Sequence, residues 1–320
     1  VPNVSAPSWK AYTALVVGLI AVSSSSTLIR FAQQESAPSL VIAMWRVALA
    51  TLVLTPLVLG RYRLTLMRLP RSAFGLAMLS GAFLALHFAS WITSLEYTSV
   101  LTSVTLVTTN PLIVALATPF LLREQLSRVT LGAILLAMCG GVIISATGDA
   151  GTAANQSAPL LGTGLAVVGS FAVAGYYIIG RRLRATIPVL PYIWLTYGAA
   201  AVALAVLVRL SELPVGDLPS NAYVWMTLTA LIPQLIGHSS FNYALGYLSA
   251  AFVSLTVLGE PIFSTILAVI FLAERPLPPQ LIGSAAILIA LFIASREEAR
   301  RASAAASAPI PAGAAVDPGG

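Results

Sequence analysis

The stretch LEYTSVLTSVTLVTTNPLIVALATPFLLRE (residues 95–124) has a counterpart in LGYLSAAFVSLTVLGEPIFSTILAVIFLAE (residues 245–274), and the relation between them decides the architecture. Tyr97, Ser99, Val107, Pro111, Leu122 and Glu124 recur as Tyr247, Ser249, Val257, Pro261, Leu272 and Glu274, 150 positions later. The correspondence continues outside this window. Gly18 and Arg30 match Gly169 and Arg181 at a shift of 151, and His87 and His238 precede the aligned tyrosines by ten and nine residues. A sequence that matches itself at a long, nearly constant spacing reads as a duplicated unit.

Composition says what the unit is made of. Apolar residues are 58% of the 320 positions, charged residues 9%, and the mean hydropathy is +0.91. A soluble domain carries about 25% charged residues. Uncharged runs of about 20 residues match the thickness of a bilayer core. Read between polar breaks, these runs predict ten helices at roughly 11–30, 39–59, 73–93, 99–122, 129–147, 160–180, 189–209, 222–243, 248–273 and 278–295. The fold class is all-α integral membrane, with residues 1–10 as an N-terminal segment, 11–147 as a first repeat and 160–295 as a second. Residues 296–320 are rich in Ala, Pro and Gly and are expected to be disordered. Short connections make successive helices antiparallel. Five spans per copy is an odd number, so the second copy enters the membrane inverted relative to the first. Inverted repeats mark many secondary transporters, whose substrate site lies near the midplane between the copies. A central cavity is therefore expected.

The charges point the same way. The chain carries a net charge of +6, but its arginines stand in short turns between apolar runs, a topology signal and not a nucleic-acid footprint. Lys10, Arg61, Arg63, Arg68, Arg71, Arg123, Arg128, Arg181, Arg182, Arg184, Arg296, Arg300 and Arg301 fall on one side of the expected membrane; Arg30, Arg209 and Arg275 fall on the other. This bias places both termini in the cytoplasm. The first apolar run, after Lys10, reads as a retained span and not a cleaved leader. The single cysteine, Cys139, allows no disulfide within the chain and no thiolate metal cluster. The expected partners are the lipid bilayer, a small-molecule substrate and protons. No nucleic acid, cofactor or metal is called for, and the chain is expected to act as a monomer.

Polar residues at bilayer depth are the candidate functional groups, because each is costly there. Asn110-Pro111 and Glu260-Pro261 stand at the middle of the fourth and ninth spans. Proline removes a backbone donor and breaks the helical ladder, which is tolerated at depth where the break is buried in protein or lines a wet cavity. Glu260 reads as a cavity-facing coupling group, or as a protonated structural residue beside a packing kink. Arg46, in the second span, can pair with Glu260, fork onto a substrate carboxylate, or snorkel to helix-end carbonyls. His87 and His238, at opposite depths of the third and eighth spans, suit a neutral hydrogen bond between helices or a proton relay. Gln234, beside Pro233, is a further ligand-facing amide. Of the aromatics Trp45, Trp91, Tyr176, Tyr177, Trp194 and Tyr197, the pair Tyr176 and Tyr177 aligns with Ser25 and Ser26 at equivalent lining positions. Trp91 and Trp194, near span ends, suit interface anchors. The run Ser23–Thr27 and the Gly162-Thr163-Gly164 triplet read as close packing, and Glu124 and Glu274 as local pairing or capping.

The ten spans, the paired tracts ending in LLRE and FLAE, and the proline-centred TTNPL and LGEPI resemble the drug/metabolite transporter superfamily, EamA type, over about residues 11–296. The resemblance implies a 5+5 inverted-repeat transporter that exports small metabolites, amino acids or drug-like amphipathic compounds across the inner (plasma) membrane of a bacterium. Members of the YddG type export amino acids, and no motif here selects that subgroup. The leading function is thus a secondary transporter working by alternating access, with Glu260 as the candidate proton site. A membrane-embedded enzyme using Glu260 and the histidines, or a passive channel, are the alternatives. Neither HExxH, GxSxG nor a GxxxxGK[ST] phosphate loop occurs.

Overall fold

A computed structural model describes residues 9–98, 100–122, 126–146, 158–272 and 278–306, and among these residues the regular structure is helical, with no strand. The charges at Arg123, Glu124, Asp149, Glu274 and Arg275, and the tail beyond Ala306, lie outside the described residues. Each tract read from the sequence is helical: α1 (Trp9–Gln34), α2 (Ser39–Arg61), α3 (Arg71–Tyr97), α4 in two halves (Val100–Val107 and Asn110–Leu121), α5 (Arg128–Ala146), α6 (Pro159–Arg184), α7 (Val189–Leu210), α8 in three pieces (Ser220–Thr229, Ala230–His238 and Ser239–Ala244), α9 in two halves (Ala250–Val257 and Glu260–Leu272) and α10 (Pro278–Ala306). Among the described residues, seven stretches are long and apolar enough to cross a membrane, and Arg128–Ile143 and Leu281–Ala294 are shorter apolar helices. The exception is α8, whose middle piece is a π-helix.

Proline sets the helix starts. Pro38, Pro70, Pro188 and Pro219 immediately precede α2, α3, α7 and α8, with ψ of 140°, 142°, 153° and 143°. That extended backbone is what an N-cap position requires, and it keeps the chain from entering the helix one residue early. Pro188 follows Pro38 by 150 residues and Pro219 follows Pro70 by 149, so the punctuation repeats with the helices.

The two copies are inverted. Thr55 accepts a 2.9 Å hydrogen bond from the Trp194 indole, and Thr51 is the side chain that a β-carbon on Gly198 would meet. Advancing along α2 therefore means retreating along α7, although these helices hold the same place in their repeats. Packing obeys the same exchange. Helix α3 lies along α6 as α1 lies along α8; α4 meets α6 as α9 meets α1; α3 meets α7 as α8 meets α2. The contacts are close where side chains are absent. A β-carbon on Gly81 would stand 2.5 Å from that of Ala199, one on Gly140 2.5 Å from the Gly283 carbonyl, and one on Gly237 2.6 Å from Val22. Small residues let helices approach in a medium that supplies no hydrophobic drive between them.

Within each copy, the first helix is braced to the third at one end. Arg30 and Gln33 donate to the carbonyls of Thr98 and Ile92 at 3.1 and 3.2 Å; Arg181 and Arg184 donate to those of Leu245 and Asn242 at 3.0 and 2.9 Å. Both pairs of donors are related by 151 residues. These arginines, read from sequence as topology signals, thus also satisfy carbonyls at helix ends.

Side chains facing outward are apolar, including Leu52, Phe120, Val142, Val202, Ile282 and Phe292, as lipid contact demands. The sequence reading is corrected at the C-terminus. Helix α10 continues to Ala306 where disorder was expected from residue 296. The physical reason is local: REEARRASAAA is rich in helix formers, and Glu297 accepts hydrogen bonds from Arg300 and Arg301 at 3.0 Å one turn away.

Candidate functional site

Both proline-marked helices are interrupted, but not at the prolines. In α4 the ladder ends at Thr108 and Thr109, and Asn110-Pro111 opens the second half; in α9 it ends at Leu258 and Gly259, and Glu260-Pro261 opens the second half. Proline in the first turn costs little, because its missing N–H would have had no partner there. The prolines start half-helices, and the breaks just before them leave backbone groups that need a polar or wet environment.

That environment is a cavity of about 390 Å³ of atom-free space, mouth included. Its walls come from the first, third and fourth helices of each repeat: Val22 and Ser25 of α1, His87 and Trp91 of α3, Val107, Thr108 and Asn110 at the α4 break, Val173 and Tyr177 of α6, His238 and Phe241 of α8, and Val257 and Glu260 at the α9 break. Eight of these residues form four repeat-related pairs: Val22 with Val173, His87 with His238, Val107 with Val257, and Asn110 with Glu260, at shifts of 150 or 151. The cavity therefore sits on the pseudo-twofold relation between the copies. Small-molecule sites commonly have mostly apolar walls and a few polar groups that fix orientation.

A scan against protein families matches the EamA-like transporter family over residues 9–146 and again over 160–296. The chain belongs to the EamA-like transporter family. Its two matched segments coincide with the two repeats. One curated relative, an "Uncharacterized transporter YxxF" of Bacillus subtilis (strain 168), is 25% identical over 198 residues, covering 61% of this chain and 61% of that protein. A solved crystal structure with 18% identity covers 91% of this chain and 99% of its own at a TM-score of 0.70, a likeness of fold.

In this EamA fold Glu260 is 6% exposed and faces the cavity, not lipid. Its carboxyl makes no hydrogen bond or ion pair within 4 Å among the described residues, although Arg46 acts on it electrostatically. The expected Glu260–Arg46 contact is thus replaced by another. Arg46 is fully buried, donates from Nε to Gln234 Oε1 at 2.7 Å and from Nη1 to Ser25 Oγ at 2.8 Å, and lies 4.2 Å above the Phe88 ring. It does not snorkel. Arg46 Nη2 and Gln234 Nε2 remain buried with no partner. Neither residue lines the cavity, so both stand one layer behind Ser25.

The histidines are brought together, with ring centroids 6.4 Å apart. His87 Nδ1 lies 3.0 Å from the Gly169 carbonyl, a bond between α3 and α6. His238 Nδ1 is buried without a partner. Of the tyrosine pair, Tyr177 lines the cavity, whereas Tyr176 is turned to Asn242, whose amide donates to its hydroxyl at 2.5 Å. Trp91 is no interface anchor. It is 3% exposed, stacks 5.7 Å from His87 and forms part of the wall. Trp194 is partly buried and bonded to Thr55, Trp45 packs on Tyr223 and Tyr197 reaches Ser239, all away from the cavity. The run at Ser23–Thr27 packs as expected, but Ser25 also joins Arg46 to the wall.

Sequence reasoning did not single out Val22, Thr108, Val173 or Phe241, and it marked Val107 and Val257 only as repeat mates, not as lining residues. Two of the pairs carried a usable signal: Val22 and Val173, like Val107 and Val257, keep the repeat spacing of residues that had been singled out. Thr108 and Phe241 have mates of different character, Leu258 and Ser90, and nothing in the sequence marks them.

Proposed function

We propose that this transporter is a secondary active exporter of small metabolites, such as amino acids or amphipathic drug-like compounds, working by alternating access as a monomer in the inner membrane with both termini cytoplasmic. The observation that carries the reading is the composition of the cavity wall. Equivalent positions of two inverted copies meet around one site, so exchange of the two copies' conformations would turn the access route from one membrane face to the other while the site stays in place. Glu260 is the coupling group in this reading: an unpaired carboxyl in the cavity can take a proton or a substrate, and a carrier that alternates between them links the two fluxes. The arginines clustered at the α2–α3 and α6–α7 turns support the orientation.

The test is counterflow in proteoliposomes screened with a metabolite library. Saturable exchange that accelerates with trans-substrate is the expected result. Unsaturable flux would make the protein a channel, and conversion of a substrate would make it an enzyme; either overturns the proposal. Cysteine labelling from opposite faces checks orientation, with position 65, and position 183 once its buried site opens, reached from inside and position 152, outside the described residues, from outside.

A further inference from the structure

The hydrogen-bond roles around the cavity restrict what it can hold. Asn110 has its Nδ2 3.2 Å from the Val107 carbonyl, and a carbonyl only accepts, so the amide orientation is fixed and Oδ1 is left buried with no partner. The same argument fixes His87. Its Nδ1 faces the Gly169 carbonyl and carries the proton, so Nε2 keeps its lone pair. Glu260, the repeat mate of Asn110, adds a carboxyl that has no hydrogen-bonding partner among the described residues. Three acceptors thus belong to one cavity wall, two of them at the starts of repeat-related half-helices. Trp91, Tyr177 and Phe241 supply ring surface beside them. The buried guanidinium of Arg46 is turned away: two of its three nitrogens are committed to Gln234 and Ser25, and Phe88 covers its face. The orphaned donors, Arg46 Nη2 and Gln234 Nε2, belong to that layer behind the wall.

We propose that the cavity takes a primary ammonium group, seated between the Glu260 carboxylate and the Asn110 amide oxygen, on a ligand whose apolar body lies against Trp91, Tyr177 and Phe241. An ammonium has three donors and no acceptor, which complements the acceptors of Asn110, His87 and Glu260, and aromatic faces attract cations through their quadrupoles. The proposal rests on reading this cavity as the transport site and adds the chemical class of its cargo. A ligand without N–H or O–H donors would leave the Asn110 oxygen and the Glu260 carboxyl unpaired, a neutral one with a single donor would satisfy only one of them, and an anion would also be repelled by the carboxylate; a buried unpaired polar group is costly.

The test is calorimetric binding to the intact, detergent-solubilised protein. Phenethylamine is the probe, N-acetylphenethylamine its uncharged analogue and phenylacetate its analogue of opposite charge. Saturable binding of the amine with at least tenfold weaker binding of both analogues is expected, and Glu260→Gln should weaken the amine at least tenfold. Comparable binding of either analogue, an unchanged amine affinity in Glu260→Gln, or no amine binding overturns the proposal. Should Glu260→Gln fail to fold, Asn110→Asp decides: a second carboxylate at the mated position must tighten the amine several-fold, and unchanged or weaker binding refutes the assignment. Flux is not needed for this measurement. Amine binding without counterflow would sink the transport reading and leave the ligand class standing, while counterflow of other substrates without amine binding would do the reverse.

Discussion

The two repeats share a plan and differ where the cavity is built. In the first copy, the third helix is regular through His87, and that ring is bonded to Gly169. In the second, the corresponding helix passes through a π segment, and His238 has its Nδ1 unpartnered. The spacing explains the difference. His238 stands 19 residues after Pro219, whereas His87 stands 17 after Pro70. Wide π turns absorb surplus residues in a helix of fixed length, and such bulges recur at functional sites. The fourth helices differ in chemistry: Asn110 opens one half-helix and Glu260 the other. The joints beside them differ too. Thr109 is hydrogen-bonded to Ser170 at 3.0 Å, while at the mated joint Leu19 packs on Gly259. An inverted duplication supplies the cavity; divergence of the copies supplies its polarity.

The largest effect should come from the Asn110–Glu260 pair. Glu260→Gln is expected to abolish transport driven by an imposed pH gradient in proteoliposomes, with the fold retained, whereas Asn110→Gln should only reduce it. Unchanged proton dependence in Glu260→Gln removes that residue from coupling. Packing comes next. A β-carbon on Gly81 would meet Ala199 and the Thr196 carbonyl, the latter at 2.7 Å, so Gly81→Ala should cost about 1–3 kcal/mol by forcing α3 from α7. Gly164, with open space at its β position, should accept alanine without loss in the same thermal-unfolding assay.

The histidines give a smaller and more diagnostic effect. If the copies exchange conformations, the opposite-facing state has His238 Nδ1 donating to the Gly18 carbonyl, the repeat mate of Gly169, while His87 lets go. One such bond is worth about 1 kcal/mol, a roughly fivefold change in the ratio of states. His87→Ala and His238→Ala should therefore shift two-sided cysteine accessibility in opposite directions; shifts in the same direction would break the equivalence.

The smallest effect lies outside the membrane. Hydrogen bonds from Arg300, then Arg301, hold the Glu297 carboxyl down at about 2. Its ordinary value is about 4.3. A depressed folded value means the tail's helical extension has this support fully above the ordinary carboxylate range and loses it as pH falls through about 2. A carbon-detected NMR titration should show that midpoint, and replacement of both arginines by glutamine should return it to the ordinary range.

Much of this was legible in the chain. Ten tracts, the interruptions at Asn110 and Glu260 and the inversion all follow from spacing, because lipid admits few alternatives for a backbone that must satisfy itself. The lining valines followed the same spacing and could have been read. The partners of Arg46 could not. Gln234 and Ser25 lie 188 and 21 residues from it, and no local pattern connects them. Trp91 is misjudged from its position along the helix, because Gly169 of α6 packs against it and the residue is buried.

The amino-acid order by itself determined a bilayer protein of two inverted five-helix copies with a carboxyl at the centre of the second, since hydrophobic length and repeat spacing are properties of the chain alone. Which polar groups share a wall was decided only by tertiary structure. A helix carries no record of its rotation against its neighbours, and a π turn redirects every side chain that follows it. The opposed fates of His87 and His238 show how much chemistry depends on that rotation.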